Sequence, residues 1–334
     1  MIFTKETYTD VFDGYIIKGC AIQNKNRQMY LLVEDNDEKI KDGYLPNYCF
    51  VFTFNDQEDL MNRFYAVTYG HFNKPKISYH AERNETIGVD MKGQLFSRAF
   101  GKNREEESLP VKIKGSDLRT VYTSFKTIGE SMYVVGIPRL LYKRVGVNEW
   151  KHLSESLPLP DKYLGIYSDG VIVDPGWDDL DGFTEQDMYL VGGDGEVWHY
   201  DSIDFKQCDF PSNELIENVC CADDGNVYIG GRLGRLWRGK DDTWELIAEE
   251  EFSVDWKDIV WFKGRLFLGS DYGLWEFKDG EVIRAEVPDQ VLTCSGALSI
   301  CPEKKYLLTA GNNGASIYDG NEWTVLFDRF DLPD

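Results

Sequence analysis

The histidines and cysteines, which often serve as metal ligands, bases or nucleophiles, do not cluster in this sequence. The histidines are His71, His80, His152 and His199, and no two of them have a metal-ligand spacing. The seven cysteines include no C-x-x-C pair, and most lie in apolar strand-like runs, as expected for buried reduced thiols. We therefore predict no catalytic residue, no metal and no cofactor, and the thiols favour a cytoplasmic protein.

Carboxylates are the most abundant charged groups, with 58 Asp and Glu residues. The acidic runs at 34–39 and 177–182 do not match the D-x-D-x-D-G spacing of a calcium loop and are predicted to be solvated loops. Asp255 and Asp258, which precede Trp261, have two interpretations: ligands that line a channel, or polar groups at a strand end. A glycosidase-type pair of carboxylates is a further alternative, because so many acids supply such pairs by chance.

Residues 165–187 combine acidic and aromatic side chains in an unusually long segment. The interval between the glycine phrases on either side is about 56 residues, some 17 more than the two intervals that follow. Long insertions in repeat proteins map to loops that often bind partners. A Trp can anchor such a contact while carboxylates attract a basic partner; the alternative is an ordinary first strand with a long turn. The residues predicted to bind a partner are Asp174, Trp177, Asp178, Asp179, Asp181 and Phe183.

The net charge of −22 limits the classes of partner. A chain this acidic is repelled by phosphate backbones and by anionic lipids, so we expect neither nucleic acid nor a membrane surface to bind it. It matches a basic protein partner, although excess charge also serves solubility alone. The N-terminal residues have no basic region followed by an apolar run, and no stretch approaches the ~20 apolar residues of a membrane span.

One phrase recurs along the chain: an apolar run, a small residue, two variable residues, usually a glycine, and an apolar–aromatic ending. Corresponding positions are spaced by roughly 46, 56, 39, 39 and 41 residues, which is the length of a propeller blade. No helical pattern follows the glycines, so hairpin turns explain them better than phosphate loops. The copies lie at 87–96, 132–142, 188–198, 227–237, 266–275 and 307–318.

Each copy has one further strand-like run before it, and several are followed by a strand that carries Trp150, Trp244 or Trp323. Four strands make one blade, and stacking blades around a ring buries both faces of every sheet. We predict an all-β protein, a β-propeller of about seven four-stranded blades, with six or eight as alternatives. It is predicted to form a single domain over residues 1–334, with divergent first blade or blades in 1–72.

At these residues the chain resembles the broad propeller superfamily of WD40, Kelch and neuraminidase-like repeats. The run VYIGG followed by Trp237 and Trp244 is similar to Kelch repeats, although the other blades do not keep that spacing. The Gly-His and Trp-Asp signature of WD40 repeats and the sialidase Asp box are missing. The phrase is also similar to uncharacterised Gly/Trp-rich bacterial propellers, some of which belong to polymorphic-toxin loci as immunity partners. This resemblance covers about residues 75–330 and implies the fold more than the function.

Three functions remain open at the level of sequence. The first is a non-enzymatic protein-binding propeller, in its specific form a bacterial immunity protein that neutralises a cationic toxin. The second is a propeller enzyme, such as a lactonase, lyase or glycosidase, with its site in the central channel. The third is a lectin-like propeller that binds sugars or peptides.

Overall fold

The six glycine phrases fold as β-hairpins, as the sequence predicts. The computed structural model of the chain describes residues 2–36, 45–59, 62–113, 118–158, 176–249 and 254–333. The residues that flank the turn of a phrase pair with each other, as Gly192 pairs with Glu196 and Ser270 pairs with Gly273. The apolar runs on either side of each turn are the paired strands.

Each hairpin supplies the second and third strands of a four-stranded antiparallel sheet, and the described residues form seven such sheets. Strands that follow one another in the chain are neighbours in every sheet. This is the blade arrangement of a seven-bladed β-propeller, so the predicted fold class and blade number are confirmed. None of the helices in the described part of the chain is long and apolar enough to cross a membrane.

Contacts within the chain define two units. The middle unit, residues 74–256, holds four sheets, and the terminal unit, residues 1–73 with 257–334, holds three. The strands of the middle unit are β5 (Lys76–His80), β6 (Glu85–Val89), β7 (Leu95–Ala99), β8 (Lys102–Glu106), β9 (Val121–Ile128), β10 (Ser131–Ile137), β11 (Leu140–Gly146), β12 (Glu149–His152), β13 (Asp179–Thr184), β14 (Asp187–Gly192), β15 (Glu196–Tyr200), β16 (Phe205–Gln207), β17 (Ile216–Cys221), β18 (Val227–Gly231), β19 (Leu236–Lys240) and β20 (Thr243–Ala248).

The described residues of the terminal unit form three sheets and two α-helices. Its strands are β1 (Tyr15–Asn24), β2 (Arg27–Glu34), β3 (Tyr48–Phe54), β4 (Phe64–Tyr69), β21 (Asp258–Phe262), β22 (Arg265–Ser270), β23 (Gly273–Lys278), β24 (Glu281–Arg284), β25 (Ala297–Ile300), β26 (Leu307–Gly311), β27 (Gly314–Tyr318) and β28 (Trp323–Asp328). Its helices are α1 (Lys5–Phe12) and α2 (Asp289–Thr293). The prediction of one domain over residues 1–334 stays a prediction.

Residues 1–72 lack the glycine phrase, yet they contribute α1 and the complete sheet β1–β4. Thr4 begins α1 with a capping box, in which its side chain accepts from the Thr7 amide at 3.2 Å. The aromatic rings of Phe3 and Phe12 lie 5.2 and 5.3 Å from that of Phe327 on β28. The first and last sheets of the chain therefore share one apolar cluster, to which α1 belongs.

In the middle unit, the apolar clusters lie between successive sheets. Val134 of β10 and Ile87 of β6 belong to one cluster, and Val219 of β17 and Val191 of β14 belong to another. Trp244 on β20 packs against the second of these clusters. Both faces of a sheet are buried in this way, which is the reason that short strands with little polar alternation are stable here.

The two glycines of the repeat phrase have different roles. Gly195 and Gly234 do have φ values of +75° and +82°. The earlier glycine of the phrase is needed for close packing instead. A Cβ on Gly192 would lie 2.5 Å from the carbonyl oxygen of Gly176.

Candidate functional site

The segment predicted to bind a partner is described from residue 176 onward, and it leads into β13. Residues 165–175, which include Asp174, lie outside the described residues. Trp177 is fully buried, and its ring stacks on Phe205 of β16 with centroids 5.6 Å apart. Its indole is therefore a packing contact in the middle unit, and the contact predicted between this ring and a partner stays a prediction.

Asp178 and Asp179 both hold backbone in place. The half-buried Asp178 accepts from the amide of Gly193 at 3.2 Å, which ties the approach to β13 to the β14–β15 turn. Asp179 is buried and connects β13 to both neighbouring sheets. It accepts from Lys126 Nζ of β9 at 2.6 Å and from the amide of Val219 in β17 at 3.0 Å. One carboxylate of β13 thus holds β9 and β17, which belong to the two neighbouring sheets, at a fixed distance from β13.

Asp181, two residues further along β13, makes the next contact with β17. Its Oδ2 accepts from the amide of Cys221 at 2.8 Å. Burial raises the pKa of the Asp181 carboxyl, while the charge of Lys126 works in the opposite direction. Burial also raises the pKa of the Cys221 thiol well above its usual range, and the Asp181 charge adds to this effect. The thiol is therefore protonated at neutral pH and is a poor nucleophile.

Phe183, near the end of β13, contacts a lysine that takes part in a chain of ion pairs. Lys240 Nζ lies 4.4 Å from the centroid of its ring and 3.1 Å from Oδ2 of Asp187. Oδ1 of Asp187 lies 2.8 Å from Nε2 of His199, whose ring packs on Tyr189. These contacts join β13, β14, β15 and β19.

The structure places Trp177 and Asp179 in a W-x-D motif that recurs at Trp256 and Asp258. Each tryptophan is buried, and each carbonyl accepts from a side chain of the preceding sheet: Thr123 at 2.5 Å and Asn218 at 2.7 Å. The aspartates act alike, because Asp258 accepts from the amide of Leu298 at 2.9 Å, as Asp179 accepts from Val219. The sequence contained a signal for this structural role, because the two W-x-D motifs begin 79 residues apart, which is about two blade lengths.

The other candidate catalytic or metal-binding residues do not lie together in one site. Asp258 serves the backbone contact just described, and Asp255 accepts from the amide of Leu233 at 3.3 Å, which favours the interpretation as polar groups at a strand end. Burial lowers the pKa of His152, and its ring stacks on Tyr142. Of the acidic run at 34–39, residues 37–39 lie outside the described residues. The prediction of a solvated loop at 177–182 is wrong, because Trp177 is buried and strand β13 begins at Asp179. In the part that is described, no group of three or more His, Cys, Asp or Glu is placed to hold a metal ion.

Comparison with known proteins identifies a relative by sequence and several by fold. No protein-family model matches the chain. It is 27% identical over 245 residues to the immune protein Tsi7 of Pseudomonas aeruginosa, which spans 73% of this chain and 76% of that protein. Among solved structures it resembles YCF48 bound to D1 peptide, with a TM-score of 0.53, 13% identity, and coverage of 78% of this chain and 84% of that one. It also resembles PorZ, a surface component of the type-IX secretion system of Porphyromonas gingivalis, with a TM-score of 0.57, 10% identity, and coverage of 94% of this chain and 38% of that one.

Proposed function

We propose that this protein is an immunity protein that binds a protein toxin and blocks it. The observation that carries this proposal is the sequence similarity to the immune protein Tsi7, which extends over 73% of the chain and so covers several blades rather than one motif. The fold supports it in a general way, because rows of hairpin loops on rigid sheets are suited to protein binding.

The charge of the chain indicates what kind of toxin it would bind. With a net charge of −22, it attracts a basic surface at long range and speeds the association of the two proteins. A basic surface is typical of proteins that act on nucleic acids or nucleotides. We therefore propose a cationic toxin as the partner, and a cytoplasmic location for the complex.

The segment from Asp174 to Phe183 remains our proposed contribution to that contact. Trp177 and Asp179 would act there by holding the start of β13 in place. Asp174 and the half-buried Asp178 would supply negative charge to the partner. A variant with Asp174→Asn and Asp178→Asn removes these two charges, so its affinity for the partner tests the proposed role of this segment separately from the rest of the protein.

Co-expression with the products of neighbouring genes tests the proposed function. One neighbour should stop the growth of a bacterial host when expressed alone, and growth should return when this chain is expressed with it. The two proteins should then elute together in size-exclusion chromatography. The proposal fails if no neighbouring product is toxic, or if the toxic product and this chain elute separately at low salt.

A further inference from the structure

An open groove of about 600 Å³ runs along β16 in the middle unit, and no described segment fills it. It extends from the β19–β20 turn at Asp242 to the β14–β15 turn at Asp194. The lining residues that matter here are Asp194, Lys206, Gln207, Cys208, Asp209 and Asp242.

The wall of this groove is the free edge of a β-sheet. Among the described residues, β15 is the strand that pairs with β16, which lies at the edge of its sheet. Cys208 donates its amide to Val197 at 2.8 Å, and hydrogen-bonded pairs alternate along an antiparallel ladder. The adjacent pair, Trp198 with Gln207, is therefore a non-hydrogen-bonded one. The amide and carbonyl of Gln207 consequently face the groove.

Packing behind β16 holds this edge in a fixed position. Phe205 stacks on Tyr200 and on the buried Trp177, with ring centroids 4.3 and 5.6 Å apart. At the other end of the groove, the ring of Phe210 lies 5.0 Å from that of Trp237. An edge that is already ordered loses little conformational entropy when a further strand pairs with it.

The described residues that line the groove include three carboxylates and one cation. Lys206 Nζ lies 2.6 Å from Oδ2 of Asp242, and the amide of Asp209 donates to Oδ1 at 3.0 Å. The hydrogen bond from Lys206, followed by the one from Asp209, lowers the pKa of Asp242, so this carboxylate is ionised at neutral pH. Because both members of the Lys206–Asp242 pair are about half exposed, a competing cation can replace Lys206.

We propose that this groove binds an extended, basic segment of the protein partner, which adds to the edge of the sheet as a strand beside β16. The backbone of the segment pairs with Gln207. Its Lys or Arg side chains pair with Asp194 and Asp209, and one of them replaces Lys206 at Asp242. Negative charge selects the segment, and the strand edge supplies hydrogen bonds that do not depend on its sequence. This inference rests on the proposed function only in that the partner is a protein.

A synthetic peptide tests the groove without the natural partner. The probe is a fluorescein-labelled heptapeptide of alternating lysine and valine, and its binding to the full chain is measured by fluorescence anisotropy. A second peptide has the same charge but carries N-methyl groups on alternate backbone amides, which blocks strand pairing. We expect the second peptide to bind at least about tenfold more weakly than the first. Equal affinity for the two peptides, or no binding of the first, overturns the proposal.

Two pairs of substitutions locate the site. Asp194→Asn with Asp209→Asn removes charge from the groove, and Glu217→Gln with Asp223→Asn removes the same charge from exposed positions outside it. The first pair should weaken peptide binding at least fivefold, and the second pair less than twofold. Equal weakening by both pairs would show a general charge effect and would contradict the groove. Thermal melting of each variant confirms that it is folded.

The toxin found by co-expression distinguishes this inference from the proposed function. If that toxin binds the Asp194/Asp209 variant as tightly as the wild-type chain, the groove is not its site, although the immunity proposal stands. If no neighbouring product binds the wild-type chain, the immunity proposal fails, and the peptide results alone decide whether the groove takes a basic strand.

Discussion

Arg144 is a fully buried cation between two sheets of the middle unit. It donates from Nη1 and Nη2 to Glu106 at 2.9 Å each, and from Nε to Glu85 at 3.1 Å. His80 lies 3.7 Å from the same carboxyl of Glu85. Burial alone would raise the pKa of both carboxyls, but the nearby His80 ring at Glu85 and the hydrogen bonds and charge of Arg144 at both groups hold the two pKa values below the usual range.

This network predicts a pH dependence of stability. Because the folded-state pKa values of Glu85 and Glu106 are lowered, the stabilisation is present above the unfolded pKa of about 4.3. It is lost as the pH falls through the folded values. Replacing the cation, Arg144→Met, should cost about 3–5 kcal/mol at pH 7, because two buried carboxylates lose their partner.

The same variant should reverse the sign of the pH dependence that this network contributes. Without the cation, burial raises the two pKa values, so the variant should gain stability relative to wild type as the pH falls from 7 to 5. Urea unfolding at several pH values measures this difference. Lys206→Met, at an exposed ion pair, is the control and should follow the wild-type curve. A pH-independent gap between Arg144→Met and wild type would contradict this account.

Trp177 provides a second test at the scale of single residues. Because its ring is fully buried against Phe205 and Trp198, Trp177→Ala should lower the free energy of unfolding by about 3–5 kcal/mol. The matched change at an exposed aromatic residue, Tyr272→Ala, should stay within about 0.5 kcal/mol of wild type. Urea unfolding measures both. A Trp177→Ala variant of wild-type stability that no longer binds its partner would instead place this residue in the interface.

At the scale of the strand, close approach of backbones explains why the repeat phrase contains a glycine at the end of its first apolar run. A Cβ on Gly136 in β10 would lie 2.1 Å from the carbonyl oxygen of Val121, which is part of β9. By contrast, a Cβ on Gly19 in β1 would meet nothing nearer than Leu31 Cδ2, at 3.6 Å. Only the first of these glycines is required by packing.

These distances predict different outcomes for the same substitution. Gly136→Ala should destabilise the chain by about 1–3 kcal/mol, because backbone must move to relieve the clash. Gly19→Ala should be close to neutral, or slightly stabilising through the reduced freedom of the unfolded chain. Chemical denaturation of the two variants provides the measurement. Equal stability of both would show that close approach does not restrict position 136.

At the scale of the whole molecule, net charge is the property that bears on partner binding. If the partner is basic, its attraction to a chain of charge −22 is screened by salt. Affinity should fall by about tenfold or more between low and high ionic strength, mainly through slower association. Surface plasmon resonance with the toxin across a salt series measures this effect. The urea midpoint of the free chain over the same series is the control, and a salt-independent affinity would contradict a basic partner.

The fold was predictable because six of the seven sheets contain the same local pattern of residues. Two short apolar strands flank a turn at each of the six phrases, with the second glycine present in five of them and Arg139 in its place in the other, and this periodicity needs no long-range information. The sheet β1–β4 was harder to predict because β2 ends at Glu34 and β3 begins only at Tyr48, so no compact glycine phrase joins them. Helix α1 was missed because its stability comes from a cap and from contact with Phe327.

The candidate site was less predictable than the fold. The sequence drew attention to Trp177 as an aromatic residue among acids, but an aromatic residue beside carboxylates has the same pattern on a surface and in a W-x-D structural repeat. The groove beside β16 gave no signal, because Asp194, Lys206 and Asp242 come from three separate segments. None of them forms a motif with its neighbours in sequence.

The sequence by itself determined the strands of the six phrases, their hairpin turns, a range of six to eight blades and the strongly negative charge, because each depends on residue type and local spacing. Only the tertiary structure decided which carboxylates are committed to backbone contacts, as Asp179 and Asp181 are, and which line an open groove. The physical reason is that a carboxylate's role depends on what packs around it. Burial and hydrogen-bond donors from neighbouring sheets are properties of the assembled blades, and spacing within a single strand does not encode them.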